Sequence, residues 1–297
     1  MSWRSILWAA AIALVVLTAG SAISLVRLAR TPPVSGRRLW RLLGAMSCAT
    51  VFAACLYAAW FAWPVFTGRR PTVRDPASAR ALGSMPVTGI HSILVVVAHP
   101  DDAEWYAGGT LALAVRAGSK VTVVVATNGE KGRAPAGTVS LGDVRKQEQQ
   151  EAARAIGYAQ TILLEMADRG LSREAALVDR IRDAWDSVRP DLVFTFDCES
   201  PARPYVHPDH QAVGRAVLHI LDGAGRQATA YLFSSALPDA AVDITEVLGQ
   251  KMAGIRAHRT QFGGTGGGGV AEQNRGSGTA MGYGYTELFR VRGPQPQ

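Results

Sequence analysis

The chain has 297 residues and a net charge of +7, but the excess is local: residues 1–88 hold ten Arg against one acid, whereas the remainder holds 21 bases against 23 acids. A nucleic-acid-binding face is therefore not expected on the C-terminal two-thirds. Three Cys, two in an apolar run (Cys48, Cys55) and one alone (Cys198), make no disulfide framework and leave the compartment open.

Residues 6–26 and 42–66 are uncharged runs of 21 and 25 residues. At about 1.5 Å per residue each is long enough to cross about 30 Å of hydrocarbon, so both are predicted as transmembrane helices. The first run exceeds the apolar core of a signal peptide, about 7–15 residues, and its positive charge follows rather than precedes it, which argues against a cleaved leader. Trp3, Trp8, Trp40, Trp60 and Trp63 fall near the ends of the runs, as interfacial aromatics do. Arg27, Arg30, Arg37, Arg38 and Arg41 lie between them, and the positive-inside bias places that connection in the cytoplasm and the C-terminal domain outside it. Arg69, Arg70, Arg74 and Arg80 pull the opposite way. The expected organisation is a membrane anchor at 1–67, a linker at 68–89 with Pro71, Pro76 and Pro86, and a folded domain at 90–297.

From residue 90 strands and helices alternate. Strands are predicted at 92–98, 121–126, 161–164, 192–196, 228–233 and 285–291, and helices at 104–117, 143–156, 172–188, 208–221 and 244–256. This order predicts an α/β fold, a Rossmann-like parallel sheet with helices on both faces, preceded by the two transmembrane helices. Ligands then belong at the carboxyl ends of the strands. The glycine-rich stretch 263–269 follows no predicted strand and opens no predicted helix, so it reads as a mobile loop beside the site rather than a phosphate loop.

Two strand ends carry chemistry. The run Val95-Val96-Val97-Ala98 leads straight into His99-Pro100-Asp101-Asp102. Pro100 stiffens the turn, and two adjacent carboxylates held ionised call for a cation. Taken alone, an Asp here could merely cap the following helix. The strand at 192–196 is followed, after a polar loop, by His207-Pro208-Asp209-His210. Together the motifs bring three imidazoles and up to three carboxylates to two strand ends, which suits a zinc-like site with three protein ligands and an open position for water.

These motifs resemble those of the LmbE-like (PIG-L) family of zinc-dependent N-acetylglucosaminyl de-N-acetylases. Ala98-His99-Pro100-Asp101-Asp102, Gly108-Gly109-Thr110-Leu111, Thr127-Asn128-Gly129-Glu130, the pair Arg145 and Glu148, Ala155-Ile156-Gly157, His207-Pro208-Asp209-His210, and Lys251 with Ala257-His258-Arg259-Thr260-Gln261 are similar to the family's motifs and stand in its order over residues 91–262. The resemblance implies that His99, Asp102 and His210 ligate one zinc, with iron(II) as the alternative. It also implies that Asp101 is the general base and that His207 polarises or protonates at the oxyanion; an imidazole held protonated by Asp209 would suit that role. Arg145 and Asp168 match positions that hydrogen-bond sugar hydroxyls, although Arg145 and Glu148, three apart on a helix, would also suit an exposed ion pair. Many relatives place Glu directly after the second Asp; here Ala103 intervenes, leaving Glu104 without a role beyond favouring the helix N-terminus. His91 and His219 read as structural, and His258 with Gln261 as support for the site.

The chain is thus expected to be a membrane-anchored amidohydrolase that removes acetyl from an N-acetylglucosamine-type substrate, one carried on a lipid or a cell-envelope glycan. Two alternatives come from other classes. One is a membrane-tethered sugar-binding protein without turnover, against which Asp101 and His207 stand; the other is a glycosyltransferase, which the α/β layout alone permits.

Overall fold

Ile93, Leu94, Val95, Val96 and Val97 are inaccessible to solvent, as a strand covered on both faces of a parallel sheet must be. In the computed structural model, which describes residues 90–202, 206–223, 228–263 and 265–293, they form β1 (Ser92–Val97) at the middle of the five parallel strands of the sheet. One edge of β1 pairs with β2 (Lys120–Thr127) and the other with β4 (Leu192–Phe196), both in parallel. β3 (Gln160–Met166) extends the sheet beyond β2, and β5 (Thr229–Phe233) extends it beyond β4, also in parallel. The remaining order is β5, β7 (Thr286–Arg292), β6 (Ala240–Asp243), with β7 antiparallel to both neighbours.

The sheet is therefore mixed, and the expectation of a wholly parallel one is corrected. The cause lies between β6 and β7. Because these neighbours are antiparallel, the chain leaves β6 and enters β7 at the same end of the sheet, which a single crossover helix could not achieve. Two stretches of helix stand there: α5 (Leu248–Ala257) with the short α6 (Arg259–Phe262), and then α7 (Gly268–Met281). The glycine-rich stretch therefore ends inside a helix. Gly267, which precedes it, has φ 77°, and a Cβ there would stand 2.2 Å from Ile255 Cγ2, so only glycine fits.

The other helices are α1 (Asp102–Arg116), α2 (Leu141–Ile156), α3 (Leu177–Val188) and α4 (Pro208–Gly223). The strand order reverses after β3, so right-handed crossovers put α1 and α2 on one face and α3 and α4 on the other. The helix predicted at 172–188 is split into a 3-10 turn, Leu171–Arg173, and α3.

The transmembrane helices predicted at 6–26 and 42–66 lie outside the described residues. Among the described residues no helix is long and apolar enough to cross a membrane. The longest, α2 and α4, have 16 residues, or about 24 Å at 1.5 Å each, and α2 is strongly charged. Among the described residues, then, the expectations of membrane anchoring and an extracytoplasmic location are corrected: no helix there supports either.

The antiparallel edge is tied to the parallel sheet through Asp197, just after β4. Its fully buried carboxylate accepts Arg290 Nε and Nη2 at 2.7 and 2.9 Å, Ser235 Oγ at 2.6 Å, and the amides of Glu199 and Ser200. Burial alone would raise its pKa, but the Arg290 fork, the Ser235 hydroxyl and the Ser200 amide outweigh burial and hold it below the usual range. A depressed folded-state value stabilises the fold well above the unfolded value of about 3.9, and that contribution is lost as pH falls through it. Asp197→Asn is thus expected to lower stability at neutral pH and to flatten the loss between about pH 5 and about pH 3. Urea unfolding across that range checks it; an acid limb as steep as the wild type's would count against the linkage.

Candidate active site

β1 and β4 lie side by side, while the chain departs from one toward β2 and from the other toward β5. The sheet opens a crevice at such a switch point, and both motifs fall into it. The cleft has a volume of about 340 Å³, at the small end of the range for ligand sites. His99, Asp101, Asp102, His207 and His210 line it together with Trp105, Tyr106, Arg169 and Gln261.

The turn after β1 is strained. Asp101 has φ 99°, a conformation that non-glycine residues adopt at a cost of about 1–3 kcal/mol. Arg145, from α2, grips this turn: Nη2 donates to Pro100 O and, at 3.1 Å, to Asp101 Oδ2, and Nη1 donates to Gly129 O at 3.0 Å. Gly129 has φ 62°, and a Cβ there would lie 2.4 Å from Arg145 Nη1. Arg145 is thus not half of an exposed pair; it and Glu148 are both buried, and Glu148 instead accepts the Thr260 amide and hydroxyl at 2.8 and 2.6 Å.

Asp102, the first residue of α1, lies between two imidazoles. His99 Nδ1 is 3.5 Å from its Oδ2, and His210 Nε2 is 3.3 Å from its Oδ1. Ligand atoms bound tetrahedrally to zinc at about 2.0–2.1 Å stand about 3.3–3.4 Å apart, close to each of these distances, and the two imidazoles face different oxygens of the carboxylate. His99 Nε2, on the other side of the ring, is 3.1 Å from Asp168 Oδ1, the carboxylate partner that orients a ligating imidazole. His210 is stacked on Phe196, the last residue of β4, with ring centroids 3.8 Å apart.

By mutual distance alone, two other donor groups emerge: His99 with His207 and His210, and His99 with Asp168 and Asp209. Asp168 Oδ2 also accepts the Lys131 amide at 2.9 Å, and Asp209 accepts the amides of Arg169 and Leu171 at 2.7 and 3.2 Å. Asp102 is bonded from the protein side too, its Oδ2 accepting the His99 amide at 2.8 Å, so all three carboxylates beside His99 carry amide hydrogen bonds, and the donors around this imidazole form one cluster in which a divalent ion could sit.

The electrostatics favour positive charge among these carboxylates. Burial disfavours a charged His99, yet Asp102, Asp168 and Asp209 together push its pKa up to about 12. Burial likewise opposes ionisation of Asp102, but His210 and His99 hold it far below the usual range. The imidazolium is doing here what a cation would do for the surrounding carboxylates. Burial pushes Asp101 up to about 6, more than Arg145 pulls it down, and the charge of Asp102 adds to the rise.

Asp209 relates to His207 differently from the charge pairing expected of neighbouring residues. Its carboxylate serves the Arg169 and Leu171 amides, and its own N–H donates to His207 Nδ1 at 3.1 Å. Burial and the neighbouring His99 and His210 hold the His207 pKa below its ordinary value, against a smaller upward pull from Asp209. An accepting Nδ1 places the proton of a neutral imidazole on Nε2.

Residues 94–221 match the PIG-L family, described as GlcNAc-PI de-N-acetylase. The "Probable N-acetyl-alpha-D-glucosaminyl L-malate deacetylase 2" of Bacillus cereus is 31% identical over 186 residues, covering 57% of this chain and 83% of that relative. The chain belongs to the PIG-L family. A second PIG-L relative, the 1D-myo-inositol 2-acetamido-2-deoxy-alpha-D-glucopyranoside deacetylase of Saccharomonospora viridis, is 31% identical and covers 57% of this chain and 85% of its own. Among solved structures, the N,N'-diacetylchitobiose deacetylase from Pyrococcus horikoshii shares the fold, with a TM-score of 0.63, 24% identity, and coverage of 71% of this chain and 87% of that one. The PIG-L match ends within α4, so it contains His99 through His210 but not Lys251, His258 or Glu287.

Sequence reasoning passed over several residues beneath the site. Glu104 is completely buried and lies 3.0 Å from His258 Nε2. Its spacing from Ala107, Gly108 and Leu111 on α1 puts it on the buried stripe of that helix, a signal that was there to be read. Arg169, which lines the cleft with φ 56°, had no such signal.

Proposed function

We propose that this protein is a metal-dependent hydrolase that removes the acetyl group from an N-acetylglucosamine-type sugar or glycoconjugate. The observation that carries the proposal is the meeting of His99, Asp102 and His210 at one carboxylate, with Asp101 and His207 lining the same cleft. The names of the two deacetylase relatives support the substrate class. His99, Asp102 and His210 would hold one divalent ion, zinc in the first instance and iron(II) as the alternative. When bound, such an ion polarises a carbonyl and lowers the pKa of water toward about 7.

The chain's own residues do the rest. Asp101 takes the proton of the attacking water as its oxygen bonds to the acetyl carbon, and returns it to the sugar nitrogen as the C–N bond breaks, leaving acetate and a free amine. His207 donates its Nε2–H to the oxygen that becomes negative on the way. Asp209 holds His207 in that tautomer through its backbone N–H. Arg145 and Asp168 face the sugar from the cleft wall while holding Asp101 and His99 in place.

Acetate release from a panel of N-acetylglucosamine conjugates tests the proposal. Acetate and amine should appear in equal amounts, stop on chelation, and resume with zinc or iron(II). No release from any conjugate by metal-loaded protein would overturn it. His99→Ala and His210→Ala should each lose the metal, whereas His207→Ala should keep it and lose about 2.7–4 kcal/mol of transition-state stabilisation. Metal analysis of the purified variants decides the ligand set; a full complement in both His99→Ala and His210→Ala would refute it.

A further inference from the structure

The peptide unit between Pro100 and Asp101 is held at both ends. Its carbonyl accepts Arg145 Nη2, and its N–H donates to Gln149 Oε1 at 3.2 Å. The orientation of this one plane sets φ of Asp101, which stands at 99°. A rotation of the plane would relieve the strain, turn the Pro100 carbonyl off Arg145 Nη2 and disturb the bond that the same nitrogen makes to Asp101 Oδ2, so whatever holds the plane also holds the carboxylate.

Behind Gln149 the hydrogen bonds continue. Gln149 Nε2 donates to Glu104 Oε1 at 3.2 Å, and Glu104 Oε2 lies 3.0 Å from His258 Nε2. Gln149, Glu104 and His258 are fully buried and come from α2, α1 and the junction of α5 with α6. The direction of the line is dictated by chemistry. The Asp101 amide can only donate, so Gln149 must show it the oxygen; the Gln149 nitrogen then faces Glu104, whose carboxylate accepts from both sides. A buried carboxylate costs several kcal/mol unless it is paired and hydrogen-bonded, and packing alone would be served by an apolar residue at 104.

The geometry points to Gln149, Glu104 and His258 as positioning residues that hold Asp101 in its left-handed conformation, ready for proton transfer. Arg145 grips the carbonyl side of the plane and this line grips the amide side. The assignment rests on Asp101 being the general base.

The test uses the pattern of donors and acceptors. Gln149→Glu sets two carboxylates against each other. Glu104→Gln sets an amide nitrogen against that of Gln149. Each single variant should lower kcat about 10- to 100-fold, with KM and metal content unchanged. The two together restore every link: the new amide at 104 gives its oxygen to His258 and its nitrogen to the new carboxylate at 149, which accepts the Asp101 N–H. The double variant should therefore recover most of the lost kcat. Loss of turnover in the singles without recovery in a folded, metal-bound double variant would reduce the line to a structural role and overturn the proposal, as would singles with wild-type kcat. Crystal structures give a readout independent of activity. In Gln149→Leu the Pro100–Asp101 peptide should leave its orientation, and in the double variant it should regain it. A peptide unmoved in all variants refutes the proposal even if the wild type releases no acetate, an outcome that would by itself count only against the hydrolase.

Discussion

Asp101→Asn is expected to cut turnover by about 10²–10⁴-fold while the metal stays bound. The amide has the size of the carboxylate, and its oxygen can still accept from Arg145 Nη2, now 3.1 Å away, so the turn should keep its shape. What the amide cannot do is take a proton from water and pass it to the departing nitrogen. His99, Asp102 and His210 are untouched, so metal content should remain at the wild-type level. Single-turnover measurements on the best conjugate from the acetate screen, with metal analysis on the same sample, check both halves. Near wild-type turnover with metal bound would remove Asp101 from the chemistry.

Lys251→Met is expected to destabilise the folded protein by about 3–5 kcal/mol. Lys251 and Glu287 are both inaccessible to solvent and form an ion pair, and Lys251 Nζ also donates to Trp105 O at 2.8 Å. Glu287 in turn accepts the amides of Gly109 and Thr110 at 2.9 and 2.7 Å and the Thr110 hydroxyl at 2.6 Å. The pair therefore joins α5 and β7 to α1, the helix that begins with Asp102. Methionine replaces the aliphatic stem but leaves the carboxylate buried without its cation. For a domain whose whole stability is about 5–15 kcal/mol, such a loss is easily measured by urea unfolding. A change within the range of an exposed ion pair, about 0–1 kcal/mol, would show that the carboxylate finds another way to be satisfied.

Much of this protein could be read from short-range pattern. An uninterrupted apolar run from Ile93 to Ala98 ending at His99, and a second strand, largely apolar, preceding His207, are local signals, because a strand buried on both faces is apolar nearly throughout. Their alternation with helices determined the parallel part of the sheet and placed both motifs at strand carboxyl ends. The proposal of His99, Asp102 and His210 as ligands came instead from the resemblance to the PIG-L motifs.

Other features depended on contacts between residues far apart in sequence. β6 has four residues, too few to show a period, and α7 holds several glycines, so neither was legible; yet together they turn β7 antiparallel. Asp168 could be matched to a sugar contact, but only the fold shows its carboxylate 3.1 Å from His99 Nε2. Asp209 looked like a charge partner for His207, whereas its carboxylate is committed to two backbone amides and its N–H makes the link. Periodicity can say that Glu104 is buried, but not that His258, 154 positions later, is what it is buried against. Sequence by itself determined the strand ends and the residues that bring chemistry to them. The partner and orientation of each of those side chains were decided by tertiary structure, because a hydrogen bond across the core is set by where two distant backbones meet and leaves no periodic trace in either.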